Sequence, residues 1–139
     1  MTSNSRYARG RLRFDGAERS TTPDGRETIV VRLEWRDVPH TGAAHGVQTR
    51  EGDIRTAASA TLSAAQSVLG EGGPTLELVG VKATRAFDAW VVVASAVIRD
   101  GDTHFKVLGA KACEDGDLVR ASSIAILDAL NRILERYLE

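Results

Sequence analysis

The stretch GDIRTAAS at residues 52–59 aligns with the stretch GDLVRASS at residues 116–123, and Asp53 and Asp117 stand 64 positions apart. Each stretch has an aspartate at its second position, which suits a helix N-terminus, and continues into small and aliphatic residues. A strand earlier in each copy also matches, with a short gap in the turn, because IVV at 29–31 corresponds to VVV at 91–93. A repeat on this scale predicts two copies of one supersecondary unit.

Hydrophobic periodicity predicts three strands and one helix in each copy. In the first copy we expect strands at 10–15, 27–36 and 44–49, a loop at 16–26, a turn at 37–42, and a helix capped by Asp53 that ends at the glycines of 70–73. In the second copy we expect strands at 76–85, 89–99 and 103–113, a turn at 100–102, and a helix from Asp117 to about Tyr137.

These elements predict an α+β fold of two pseudo-repeated βββα units. The chain of 139 residues has the length of a single domain, with unit one at about 7–70 and unit two at about 75–139. The polar residues 1–6 are expected to be frayed.

The second helix carries an unusually wide apolar stripe, with four consecutive apolar residues at 124–127. A helix of this kind is buried on more than one side. Two explanations remain open: contact with a second chain, or a central position inside the monomer. Under the first, the helix pairs two copies through Ile126, Leu127, Leu130, Ile133 and Leu134.

Four motifs stand in order along the second copy: FDAWVVV at 87–93, KVLG at 106–109, GDLVRAS at 116–122 and ALNR at 129–132. Together they resemble the C-terminal regulatory (dimerisation) domain of the 2-isopropylmalate synthases. The resemblance covers roughly residues 27–138 and is best from Phe87 onward. It implies the same pair of βββα units, and an allosteric role in amino-acid biosynthesis.

The resemblance also implies a ligand, which is leucine or a related small molecule held near the starts of the two helices. Carried over, the contact positions are Gly52, Asp53, Ala57, Gly109, Asp117 and Ala121. A helix N-terminus offers backbone N–H groups to a carboxylate, and small residues allow close approach. The sequence differs from the family at residues 50–53, where REGD replaces a Gly-x-Gly-Pro type turn.

The family's pairing across a two-fold axis predicts a homodimer, with a separate synthase subunit as a further partner. A chain of 139 residues has no room for the family's catalytic barrel, so we expect either a stand-alone relative or a piece of a larger protein. No nucleophile or acid–base constellation stands out. We therefore expect a non-catalytic domain that uses no cofactor.

A nucleic-acid-binding module is the alternative. From Asp53 onward the predicted order is αβββα, as in double-stranded RNA-binding domains, and the N-terminal region carries an arginine cluster of Arg6, Arg9, Arg11, Arg13, Arg19 and Arg26. Acidic residues at the start of the second helix, Glu114, Asp115 and Asp117, oppose phosphate binding there. The sequence therefore favours the regulatory domain over the RNA-binding module.

Composition excludes several other classes. The net charge of −1 gives no global attraction to nucleic acid or membrane, and the single cysteine, Cys113, rules out a disulfide scaffold. The three histidines, His40, His45 and His104, have no spacing typical of a zinc site. No signal peptide or membrane-spanning run is evident, so we expect a cytoplasmic location.

Overall fold

The computed structural model describes residues 11–138. In this part of the chain, the first unit comprises β1 (Arg13–Thr21), β2 (Arg26–Trp35), β3 (Val38–Val47) and α1 (Arg50–Leu69). The second unit comprises β4 (Thr75–Ala86), β5 (Ala89–Asp100), β6 (Thr103–Cys113) and α2 (Leu118–Leu134). The α+β fold with two βββα units is confirmed. The N-terminal residues predicted to be frayed lie outside the described residues.

Each unit forms its own antiparallel sheet, with the strands in sequence order. The central strands alternate as the period-two pattern requires, so that one face of each strand is buried against the helices. In β2 the buried side chains are Ile29, Val31 and Leu33, and in β5 they are Val92, Ala94, Ala96 and Ile98. These inner faces and the two helices enclose one hydrophobic core.

The helices tie the two units together. Each helix packs on its own sheet and also contacts the first strand of the other unit, α1 against β4 and α2 against β1. The helices also contact each other, where the Ser122 hydroxyl donates to the Ile54 carbonyl oxygen at 2.6 Å. A second buried contact joins the hydroxyls of Thr61 and Ser123 at 2.9 Å. The helices thus satisfy their buried hydroxyl groups across the boundary between the units.

Two glycines on the third strands show how closely the repeat is kept. A Cβ at Gly42 would lie 2.4 Å from the Ala60 carbonyl oxygen and 2.2 Å from the Ala64 nitrogen. A Cβ at Gly109 would lie 2.2 Å from the Ala125 carbonyl oxygen and 2.4 Å from the Ala129 nitrogen. The helix positions are 65 residues apart in this match, one more than in the sequence alignment. Strand and helix backbones therefore touch in the same way in both units.

The two hairpins of the first unit have shorter turns than predicted. The loop predicted at 16–26 is wrong for residues 16–21, because β1 pairs with β2 as far as Thr21, and the turn is confined to residues 22–25. The turn predicted at 37–42 is also wrong. The observed turn consists of Arg36 and Asp37, both at positive φ, and β3 begins at Val38. Positive φ at both positions is typical of a type I′ turn, but no glycine marks it here.

The start of α1 lies one turn earlier than predicted. Its N-cap is Thr49, in extended backbone geometry, and the Thr49 hydroxyl accepts from the Gly52 N–H at 2.9 Å. The prediction of Asp53 as N-cap is therefore wrong, and this carboxylate lies in the first turn, with its side chain directed at other residues. In α2 the predicted cap is confirmed, because Asp117 accepts from the Arg120 N–H at 3.0 Å.

Candidate functional site

The six predicted ligand contacts fall into three separate places. Gly52, Asp53 and Ala57 lie in the first turns of α1, Asp117 and Ala121 lie at the start of α2, and Gly109 lies on β6 against the middle of α2. The hydrogen bond between Ser122 and Ile54 joins the N-terminal parts of the two helices. Gly109 is removed from both, so the structure does not bring all six together.

Small residues among the six serve packing. Ala57 is fully buried in the core and Ala121 is 3% exposed, so neither presents a surface to solvent. A Cβ at Gly52 would lie 1.9 Å from the Val47 carbonyl oxygen, so glycine is needed for β3 and α1 to approach. Gly109 meets the α2 backbone in the same manner. Asp53 and Asp117 remain as the polar groups of the predicted set.

Asp53 belongs to a polar cluster with Arg19 on β1 and Glu27 on β2. The Arg19 Nη2 donates to Asp53 Oδ2 at 3.0 Å, and the Arg19 Nε lies 3.2 Å from Glu27 Oε1. The Glu27 side chain is completely buried, whereas the Asp53 side chain is 20% exposed and that of Arg19 is 39% exposed. Arg19 therefore covers two carboxyl groups at the positive end of the α1 dipole.

The hydrogen-bonding capacity of this cluster is incompletely used. Within the described residues, both oxygens of Glu27 and the Oδ1 of Asp53 are buried and accept no hydrogen bond from an N–H or hydroxyl group. The Arg19 Nε is near Glu27 Oε1 but is not directed along a hydrogen bond to it. Buried carboxyl oxygens without such donors are costly, so a compensating interaction is required.

Burial raises the pKa of Glu27 above its ordinary value, and hydrogen bonding to the neighbouring Asp53 carboxyl group and the charge of that group act in the same direction, so that the pKa is about 7. The Arg19 guanidinium acts in the opposite direction. Two carboxyl groups this close favour one shared proton near neutral pH, because both cannot ionise without strong repulsion. The cluster can therefore accept a proton or a ligand cation.

Glu27 and Arg19 were not among the residues predicted from the sequence. A signal for Glu27 was present, since it is in phase with Ile29, Val31 and Leu33 on the buried face of β2. A charged side chain at such a position has to be paired or functional. Arg19 had been assigned only to the arginine cluster, and nothing in its local sequence marks it as facing α1.

The start of α2 offers less room. The hollow beside Asp117 has a volume of about 120 Å³ and is lined by residues from Lys111 to Ala121. Ligand pockets for small organic molecules are typically about 300 Å³ or larger. Asp117 is occupied by its capping bond to Arg120, and its own N–H donates to Asp115 Oδ1 at 3.0 Å. This helix start is consistent with capping alone.

Two open grooves lie farther along the helices. One, of about 630 Å³, runs between α1 and the ends of β3 and β4 and is lined by Leu62, Gln66, Leu76 and Leu78, among others. The other, of about 480 Å³, runs between β6 and α2, beside Gly109 and Ile133. Gln66 donates to the Pro74 carbonyl oxygen and accepts from the Leu76 N–H, so its amide closes the helix onto β4.

The residues predicted to pair two copies through α2 are placed mainly inside the chain. Ile126, Leu130 and Leu134 are fully buried, Leu127 is 5% exposed, and only Ile133 reaches the surface in part. Of the two explanations for the wide apolar stripe, the central position inside the monomer applies to these four side chains. A pairing surface, if one exists, has to be built mainly from other residues.

Three of the four arginines of the N-terminal cluster that the structure describes have acidic partners. Arg11 lies 3.8 Å from Glu135, Arg13 lies 3.6 Å from Glu34, and Arg19 binds Asp53. Arg6 and Arg9 lie outside the described residues. The helix–strand–strand–strand–helix order from α1 to α2 is present, as the RNA-binding alternative requires. Pairing of the arginines lowers the local positive charge on which phosphate binding depends.

Histidines and the cysteine form no metal site in the described part of the chain, where no group of three or more His, Cys, Asp and Glu side chains could hold an ion. Cys113 is buried, 4.0 Å from Asp115 Oδ1, and the His45 Nδ1 lies 2.8 Å from the Thr28 hydroxyl.

Between residues 11 and 138, neither helix has the length and apolar character needed to span a membrane.

Comparison with known proteins adds no further assignment. No protein-family model matches the chain, and no curated protein matches it.

Proposed function

We propose that the chain is a cytoplasmic, non-catalytic regulatory domain that works as a pair and binds a small amino-acid-like effector. This is the role that the resemblance to the 2-isopropylmalate synthase regulatory domain implies. The observation that supports it most directly is the pairing of the buried Glu27 carboxyl group with the partly buried Asp53 carboxyl group, beside Arg19 at the N-terminus of α1.

The cluster has the chemistry to bind an α-amino acid. An ammonium group carries three N–H donors, and three carboxyl oxygens of Glu27 and Asp53 are buried without good acceptor contacts. The effector's ammonium would take the place of the shared proton and add charge-assisted hydrogen bonds. Its carboxylate would be attracted by Arg19 and by the positive end of α1.

Arg19 also controls access to this site. Its side chain is the most exposed of the three and lies over the fully buried Glu27. Binding therefore requires the Arg19 side chain to rotate outward, which breaks its 3.0 Å contact with Asp53. A ligand that replaces this contact would change how β1 is held against α1, and β1 also contacts α2 of the other unit. This gives a route from the effector site to the rest of the domain.

A thermal-shift comparison tests the effector. We expect leucine or another branched amino acid to raise the melting temperature, whereas the matching 2-keto and 2-hydroxy acids, which lack the ammonium group, have little effect. Glu27→Gln should abolish the shift, while Glu34→Gln, on the outer face of the same strand, should retain it. If no amino acid raises the melting temperature, or if the Glu27→Gln variant responds as the wild type does, the proposed effector site is wrong.

The proposal includes a synthase subunit on a separate chain as the partner that the effector regulates. Such a partner would have to bind differently to the effector-bound and effector-free domain, since a ligand can shift an equilibrium only through differential affinity. Titrating a barrel-type synthase with the domain, with and without the amino acid found in the thermal-shift screen, would measure that difference.

A further inference from the structure

The outward faces of the two sheets differ sharply in character. On β2 of the first sheet, the outward side chains are Thr28, Val30, Arg32 and Glu34. Their cross-strand neighbours include the polar residues Glu18, Ser20, Thr41 and His45. On β5 of the second sheet, the corresponding side chains are Val91, Val93, Ser95 and Val97. A strand that carries valines on both faces is typical of a sheet covered on both sides.

The neighbouring strands extend this outward apolar face. Val79, at a bulge in β4, is 49% exposed, and Leu108 on β6 is 61% exposed. In the first sheet, by contrast, Arg32 is bonded to Asp15 on the outward side. We call the outward side of the β4–β5–β6 sheet the valine face. An exposed apolar face bordered by charged residues marks an interaction surface more often than a random feature.

The strand register arranges the valine face into rows that cross β5. In one row Gly80, Ser95 and Leu108 lie side by side, and in the next row Glu77, Val97 and Lys106 do. A Cβ built at Gly80 meets no atom within 4 Å, and a hollow of about 450 Å³ lies over Gly80 and Ser95, with Lys82 and Leu108 also in its lining. The first row therefore has a hollow on the β4 side and a projecting leucine on the β6 side.

The second row carries opposite charges on its two sides, as the first row carries a hollow on one side and a projecting side chain on the other. Glu77 lies on the β4 side and Lys106 on the β6 side. Arg99 donates to Glu77 through Nε and Nη2, and both contacts end on Oε1. Glu77 Oε2 is therefore directed away from the Arg99 contact.

We propose that the valine face pairs with the valine face of a second copy, around a two-fold axis that runs along β5. This axis exchanges the β4 side of one copy with the β6 side of the other. Each Leu108 then fills the hollow over the partner's Gly80, and each Lys106 faces the partner's Glu77. A face that is complementary to itself in this way is what a two-fold interface requires.

The size of the face is sufficient for a specific dimer of moderate affinity. Three strands spaced about 4.8 Å apart, with about 3.3 Å per residue over β5, cover about 500 Å² in each copy. The pair would bury about 1,000 Å² in total, which is near the lower limit for specific interfaces. Affinity would depend mainly on the seating of Leu108, because a few buried anchors dominate binding energy.

This inference deepens the proposed function, because it specifies the surface through which the regulatory domain pairs. It differs from the pairing predicted for α2, whose side chains are buried on the opposite side of the same sheet. The effector site at Glu27 lies in the first unit, so the two proposals can be tested separately.

Light scattering after size-exclusion chromatography tests the pairing surface. We expect the wild-type chain to be a dimer at high micromolar concentration and the Leu108→Glu variant to be a monomer. Val38→Glu is the matched control, since Val38 is 52% exposed on β3 of the first sheet, and it should leave the dimer intact. A wild-type monomer at this concentration would overturn the proposal, and so would a Leu108→Glu dimer.

Charge reversal gives a second test that does not depend on the fold tolerating Leu108→Glu. Lys106→Glu alone should weaken the dimer about tenfold or more, because the introduced carboxylate would face the partner's Glu77. Adding Glu77→Lys should restore at least part of the affinity, and a double variant weaker than the single one would count against this axis.

If the dimer fails but leucine still stabilises the domain, only the pairing surface is wrong. If the dimer holds but no amino acid binds, the effector site is wrong.

Discussion

The side chain of Asn131 on α2 bonds both backbone polar groups of Leu12, accepting from its N–H at 2.9 Å and donating to its carbonyl oxygen at 3.2 Å. Both residues are almost fully buried, and the two positions are 119 residues apart in the chain. One amide thus fixes the start of the first unit to the last helix of the second. The motif ALNR at 129–132 contains this asparagine, so its role includes structural closure of the domain.

We expect Asn131→Ala to destabilise the domain by about 2–3 kcal/mol, because it leaves a buried N–H and a buried carbonyl group of Leu12 without partners. The free energy of unfolding from urea denaturation measures the loss. Arg132→Ala, at the exposed neighbouring position, should change it by less than about 0.5 kcal/mol. Similar losses for the two variants would show that the Asn131 bonds contribute little.

The close contacts of the third strands predict a steric effect in both units. Gly42→Ala and Gly109→Ala should each cost about 2–3 kcal/mol, because the added methyl group meets helix backbone that cannot move aside as a side chain would. Gly80→Ala is the control, since a Cβ there meets nothing within 4 Å, and it should be nearly neutral in dilute solution. If Gly109→Ala proves neutral, Gly109 does not pack as the structure shows and could instead serve a ligand.

The corrected start of α1 gives a third prediction. Thr49→Ala should cost about 1 kcal/mol, because the Gly52 N–H loses its acceptor. Thr49→Ser should retain most of that stability, since serine supplies the same hydroxyl group. Thermal unfolding followed by circular dichroism measures both. A stability loss with Thr49→Ser as large as with Thr49→Ala would mean that the cap contributes little.

The second unit was predicted closely from the sequence, whereas the first was not. In the second unit, the strong alternation around 91–98, the Asp-Gly turn and the Asp117 cap indicate the boundaries that the structure shows, although α2 ends at Leu134 rather than at about Tyr137. In the first unit, the turn at Arg36 and Asp37 has no glycine, and β1 presents polar residues such as Glu18 and Ser20 to solvent. Local sequence therefore gave no reason to place strands there, and the pairing with β2 decides their extent.

The candidate site was predicted only in part, for a related reason. The start of α1 was predicted as a ligand site through Gly52 and Asp53, but the partners of Asp53 come from β1 and β2. Arg19 and Glu27 reach Asp53 only because the sheet carries them under the helix. Such an arrangement depends on the packing of α1 over the sheet, which periodicity alone does not specify.

The raised pKa of Glu27 predicts how stability depends on pH. Its pKa is about 7 in the folded protein and near 4.5 when the chain is unfolded, so between these values the folded state binds more protons. The contribution of Glu27 to the free energy of unfolding is therefore greatest below about pH 4.5, and it is lost as the pH rises through 7. The groups that face Glu27 are Asp53 on α1, which strengthens the effect, and Arg19 on β1, which weakens it.

Glu27→Gln tests this dependence, because glutamine keeps the shape of the side chain but cannot ionise. We expect the variant to be more stable than the wild type at pH 8, by on the order of 2 kcal/mol, and to lose the advantage near pH 5. Urea denaturation midpoints measured across this range give the comparison. Glu34→Gln, which removes a carboxylate from the other face of β2, should follow the wild-type curve in shape. If Glu27→Gln and the wild type respond to pH in parallel, Glu27 is already ionised in the folded protein, and Arg19 rather than a shared proton neutralises it.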